Sequence, residues 1–270
     1  MNHHIVIAHM KTMKDTWLLV VLATVIFVLL VLIPVFTQKI FFADTTDYLG
    51  VAKYFHGNLK SVIRNTHNWD YGLFLSFFLK IWDSLIFLRF INCMWLVLTA
   101  VILYKLNKNI KVLLLWFLSP ILWYMAPYIH PLPMATFLLT LSYYFIKKYE
   151  SEKTIRTLVI SGLFLGASAL FWDGMLVLSV FFILAFFYNK KLYEAIYFSI
   201  AFCFIFSINL ITDWVLFDFP FFSIFRQLGS GALFFLRKAA FSNADHFTAH
   251  TPVQIFLMFI AISPFLFSIY

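Results

Sequence analysis

Charged residues and turn formers punctuate this chain, and the stretches between them are apolar for close to the width of a bilayer. Read that way, the pattern predicts eight membrane helices, at 17–36, 85–104, 111–128, 132–147, 156–171, 174–188, 193–215 and 252–270. Each approaches the ~20 residues an α-helix needs to cross a ~30 Å hydrocarbon layer. The runs lack the two-residue alternation of barrel strands, so the spans are helices. A further apolar stretch, 71–82, is short for a span and Asp83 separates it from the next run, which predicts a helix at the interface. The 156–171 and 174–188 runs are also short, and read as two tilted spans or as one re-entrant hairpin. The expected fold class is all-α: one domain over 1–270, a polytopic membrane helix bundle of about eight transmembrane helices with interfacial helices in the loop after the first span.

Composition agrees. With 63% hydrophobic residues, 12% charged residues and 36 Phe, the chain has too little polar surface to coat a soluble domain of its size. The two cysteines, Cys93 and Cys203, lie in apolar runs far apart and read as small buried hydrophobes without redox meaning.

Charge then sets the expected orientation. With a cytoplasmic N-terminus, the cytoplasmic connections hold Lys11, Lys14, Lys105, Lys108, Lys111, Lys147, Lys148, Lys153, Arg156, Lys190 and Lys191, just over half of the 20 basic residues, against four acids. The short loops thus obey the positive-inside rule. The net charge of +8 mostly records that topology, and the scatter of basic residues among short loops excludes a nucleic-acid stripe. Lys11 and Lys14 ahead of the first span resemble a signal peptide, but the run is long, carries Trp17 and lacks a small-x-small cleavage site, so it reads as an uncleaved anchor.

On that assignment the opposite face collects the chemistry. Two long outer segments, 37–84 and about 216–251, carry Asp44, Asp47, His67, Asp70, Asp83, Asp218, Arg226, Arg237, Lys238, Asp245, His246 and His250. Short outer turns add His130, Asp173 and Asp213. Asp44 reads equally as the N-cap of a helix through Tyr48 and Ala52 that ends at Gly57-Asn58, or as a functional carboxylate with Asp47 beside it. Asn68-Trp69-Asp70-Tyr71-Gly72 reads as a turn before the next apolar segment.

The run from Asp44 to Gly57, with Tyr48-Leu49 and Ala52 at their intervals, resembles the first outer loop of the GT-C class of polytopic glycosyltransferases, in particular protein-mannosyltransferase-like members. Tyr71-Gly72-Leu73-Phe74-Leu75, Leu79 to Ser84, Leu88-Arg89-Phe90-Ile91-Asn92, Gly162 to Ala167, and Ile208-Asn209 through Ser223 follow in the same order as in that family. The likeness covers about residues 17 to 225. It implies a sugar, such as a hexose of the mannose type, moved from a polyprenyl-phosphate carrier to a protein, lipid or glycan acceptor at the extracytoplasmic face. Membrane lipids are the remaining partner, with no nucleic acid. It implies a general base or acceptor-orienting acid at Asp44, with Asp47 second. Positive charge for the leaving phosphate then falls on Arg226, Arg237 and Lys238, which read equally as interfacial lipid anchors.

The chain departs from the family at two places. No carboxylate stands between 125 and 140, where Ile129-His130-Pro131 occurs instead, and Phe171-Trp172-Asp173-Gly174 replaces an expected arginine. Asp173 reads as a second carboxylate or as a helix cap, and His67 and His130 as acceptor-side or supporting groups. His246 and His250 share a helical face but lack an HExxH context, so no metal site is expected, and a divalent requirement stays open. These departures keep two alternatives: a noncatalytic subunit of a glycosylation complex, and a lipid or solute transporter, against which the nearly charge-free span centres count. The absence of a basic stop after Tyr270 reads as truncation or as a short branch of the family.

Overall fold

The computed structural model describes residues 17, 21–22, 24–25, 27–37, 43–58, 69–119, 122, 125–172, 174–189 and 191–225. Among these residues the fold is all-helical, with no strand. The first segment holds a π-helical turn, Val28–Leu32, followed by α1, Ile33–Thr37. Pro34 has no N–H to donate to the helical ladder. The chain widens there, with Ile33 N–H reaching Val28 O.

Helix α2, Ala43–His56, stops at Gly57, whose φ of +117° is glycine's province. Gly57 N–H donates to Tyr54 O at 3.0 Å and Asn58 N–H to Lys53 O at 2.9 Å, the paired bonds that close a helix C-terminus. Helix α3, Asp70–Ile81, is followed by Ser84, whose Oγ accepts from Phe87 N at 3.4 Å and opens α4, Leu85–Asn107. Lys108 is left-handed, and Asn109 Oδ1 accepts from Lys111 N at 3.0 Å to start α5, Ile110–Phe117. The remaining helices are α6, Leu132–Glu152; α7, Ile155–Phe171; α8, Met175–Tyr188; and α9, Leu192–Phe217.

Two of these, α4 and α9, are long and apolar enough to cross a membrane, while α7 and α8 are apolar but shorter. The expected span at 111–128 is not one helix. It ends at Phe117 because Pro120 removes a donor and disfavours helical backbone at Ser119. The chain beyond still returns along α4, which satisfies its freed carbonyls. Asn92 Nδ2 donates to Met125 O (3.2 Å) and Tyr128 O (2.6 Å), and Cys93 Sγ to Ala126 O (3.5 Å). Trp116 Nε1 donates to Leu96 O at 3.1 Å, fixing α5 antiparallel to α4. Cys203, expected to be buried, is exposed because it lies on the outward face of α9. The expected span at 252–270 lies outside the described residues.

Helices α6 and α7 form an antiparallel hairpin, stitched by Ser161 Oγ to Ser142 O at 2.8 Å and by Ser168 Oγ to Ala135 O at 2.8 Å. Helix α9 lies parallel to α7: Gly162 faces Phe198 and Ala201, and Gly166, one turn on, faces Phe202 and Ile205. A Cβ at either glycine would stand 2.5 Å from a backbone carbonyl of α9, so only glycine permits this approach. One core (Leu158, Leu165, Ala169, Phe198, Phe202) fills the α6–α9 region. A second (Leu96, Leu103, Trp116) joins α4 to α5, and a third (Tyr48, Tyr71, Leu88, Ile129, Met134) joins α2, α3, α4 and α6.

These short connections sort the charges between the two ends of the bundle. The links at 107–110, 152–155 and 188–192 carry lysines, and there Tyr149 Oη donates to Glu194 Oε1 at 3.1 Å to tie α6 to α9. The starts of α4, α6 and α8 and the ends of α7 and α9 lie at the other end.

Candidate functional site

Asp44, Asp47, Asp70 and Asp213 gather at the end opposite the lysine-bearing links. Asp44 is the second residue of α2, one step inside the helix and not its cap, because the helix already begins at Ala43. Asp47, one turn on, is buried, as are Thr45 and Tyr48, while Thr46 between them is exposed.

Helix α2 is fixed at its first turn and along one face. Thr45 Oγ1 donates to Ile129 O at 3.2 Å, reaching the connection before α6. The Tyr48 ring sits between two others, edge-on to His130 (5.8 Å between centroids) and to Tyr71 (5.2 Å). His130 is buried, and its Nδ1 accepts from Leu132 N–H at 3.1 Å across Pro131. An accepting Nδ1 leaves Nε2–H as the donor of the neutral ring.

Helix α3 lies antiparallel to α2 with no clearance at Gly72. A Cβ there would meet Val51 Cγ1 at 2.5 Å and Tyr48 O at 3.2 Å. The stretch Asn68 to Gly72, expected as a turn, is therefore helical from Asp70 onward, and Gly72 is a contact glycine whose small size, not its backbone freedom, is used. Burial pushes the Tyr71 phenol well above its ordinary range, so it stays neutral.

Beside this unit is a polar cluster that the sequence alone does not single out. Asp70 is buried at the start of α3; its Oδ2 accepts from Asn209 Nδ2 at 2.8 Å and its Oδ1 from Thr212 Oγ1 at 2.9 Å. Asp213, expected in an outer turn, is buried inside α9, where it accepts from Ser223 N at 2.8 Å and Ser223 Oγ at 2.6 Å. That contact folds the chain back after the left-handed Asp218. Asn209, Thr212 and Asp213 stand at i, i+3 and i+4, one face of an otherwise apolar helix, and that pattern is the signal the sequence offers. Arg89, which the sequence marks only as part of a motif, is buried near the start of α4, and its Nη1 donates to Val35 O at 3.2 Å, one of the end carbonyls of α1.

The structure thus brings Asp47, His130, Tyr48 and Tyr71 onto one packed unit with the first turn of α2. The Asp44 side chain, His67, Asp173, Arg226, Arg237 and Lys238 lie outside the described residues. Among the described residues no group of three or more His, Cys, Asp or Glu side chains is placed to share a metal. No family model, no curated protein and no solved structure matches this chain.

Proposed function

We propose that this chain is a multi-pass membrane glycosyltransferase that moves a sugar from a polyprenyl-phosphate carrier to a protein, lipid or glycan acceptor at the extracytoplasmic face. The observation that carries the reading is the seating of α2. The helix that follows the first apolar segment packs, through Thr45 and Tyr48, against the 129–130 connection at the end of the bundle remote from the lysine-bearing links, and Asp44 and Asp47 belong to the same stretch of that helix. The membrane setting is supported by two helices of spanning length and by outward apolar faces, among them Val177, Phe181 and Leu184 on α8 and Ile200, Phe204 and Ile211 on α9. The partition of charge supports a cytoplasmic lysine end.

In this reading the acceptor hydroxyl oxygen attacks the anomeric carbon, the bond from that carbon to the carrier phosphate breaks, and the proton passes to the Asp44 carboxylate. The product is inverted at the anomeric carbon, and polyprenyl phosphate leaves. Asp47 supports the same face, and Arg226, Arg237 and Lys238 neutralise the departing phosphate. His130 lies beside that face through its ring contact with Tyr48.

The test is transfer of a labelled hexose from polyprenyl phosphate by membranes carrying the chain. Asp44→Asn is expected to lower the rate by about 10²–10⁴-fold, the usual worth of a general base, with the amount of protein unchanged. Undiminished transfer in that variant removes Asp44 from the role. Solute or lipid transport by the purified chain without any transfer replaces the reaction class.

A further inference from the structure

We propose that Asp70 is a positioning residue that ties the carboxylate-bearing turn of α2 to α9. The inference deepens the transferase reading and rests on it for its catalytic consequence only. Asp70 reaches across 139 residues of sequence to Asn209 and 142 to Thr212, at 2.8 and 2.9 Å, and all three belong to the same end of the bundle. Both carboxylate oxygens are engaged, so the first residue of α3 is held at two points on one face of α9.

Position then passes from α3 to α2 without slack. Tyr71, the next residue, is buried and packs edge-on against Tyr48, and Gly72 admits no atom larger than hydrogen between itself and Val51. Tyr48 in turn meets His130, and Thr45 holds the Ile129 carbonyl. A shift of α3 along or away from α9 therefore moves the first turn of α2 relative to the 129–130 connection. Misplacement of a reacting group by about 1 Å can cost on the order of 100-fold in rate.

The experiment reads that geometry without substrate. In a background carrying Cys93→Ala and Cys203→Ala, the pair Thr45→Cys and Ile129→Cys is introduced and its oxidative crosslinking rate is followed in membranes. Asp70→Asn is expected to slow crosslinking several-fold. The exchange Asp70→Asn with Asn209→Asp, which restores a carboxylate-to-amide hydrogen bond with its sense reversed, is expected to recover most of the rate. Thr212→Val, which removes one donor and leaves every charge in place, is expected to fall between the two, and it serves if Asp70→Asn does not accumulate. An unchanged crosslinking rate in Asp70→Asn, or in Thr212→Val where that variant stands in for it, overturns the proposal, and so does failure of the exchange to recover it. In the transfer assay, with the native residues at 45, 93, 129 and 203, Asp70→Asn should lower kcat by about tenfold with KM for the donor little changed, as expected for lost alignment. Absence of transfer in the parent chain refutes the transferase reading, while the crosslinking rates still decide whether Asp70 positions α2.

Discussion

At Gly72 the absence of a side chain determines how closely two helices meet. Gly72→Ala puts a methyl group 2.5 Å from Val51 Cγ1 and 2.6 Å from Val51 Cβ, so rotation of the valine alone does not clear it. Overpacking of this kind costs about 1–3 kcal/mol, which outweighs the ~0.5–1 kcal/mol of helix propensity that alanine gains over glycine. Denaturation in detergent should show that loss, and adding Val51→Ala should recover more than half of it; equal stability of Gly72→Ala and the parent would mean the helices are not this close. Residue-level signals are unevenly readable. Asp44, Tyr48 and Ala52 stand out by their spacing, and Gly57 ends its helix as composition suggests, because a positive φ leaves a mark in residue type. Gly72 and Asp70 look like turn residues in the sequence because glycine and aspartate serve both turns and close contacts. What distinguishes the two uses is a partner on another helix, which the local sequence does not contain.

Between elements, the parallel contact of α7 and α9 carries the tightest constraint. Gly166→Ala would place its Cβ 2.5 Å from Phe202 O, a backbone atom that no rotamer can move, whereas at Gly174 the nearest atoms belong to the Trp172 ring at 3.2 Å. Gly166→Ala is therefore expected to lose about 1–3 kcal/mol, and Gly174→Ala clearly less. Melting midpoints of the two variants in the same detergent compare them directly, and the reverse order would contradict the packing described. Helix boundaries follow the same division between local and tertiary information. The turns near 153, 173 and 190 are legible because lysine, threonine and glycine cluster there. Helix α6 runs five residues beyond its expected end because hydropathy marks apolar length, whereas the polar turn Lys147 to Glu152 continues as helix through ion pairs, Lys147–Glu150 at 3.1 Å and Lys148–Glu152 at 3.5 Å. The expected 111–128 helix is interrupted for the opposite reason: its apolar composition is uniform, and Pro120 divides it.

Among the described residues, the lysine-bearing links at 107–110, 152–155 and 188–192 and the buried carboxylates Asp47, Asp70 and Asp213 occupy opposite ends of the bundle, which gives the orientation a direct test. In a background free of native cysteines, Asp83→Cys, exposed in the 82–84 link, should react in intact cells with a maleimide that cannot cross membranes, and Lys153→Cys only after permeabilisation. The reverse pattern would put the α2 carboxylates on the cytoplasmic side and remove the transferase topology. The parallel contact between α7 and α9 also sets an order in time. Two parallel neighbours require the chain between them to run back along the bundle to its starting end, and α8 is that return leg, with Val177, Val180 and Phe181 facing outward. Glycines 162 and 166 leave the ribosome well before Phe198 and Phe202 exist, so the narrow face of α7 waits uncovered while α8 and the first turns of α9 are synthesised. A contact this close thus becomes available only late in the synthesis of the described residues.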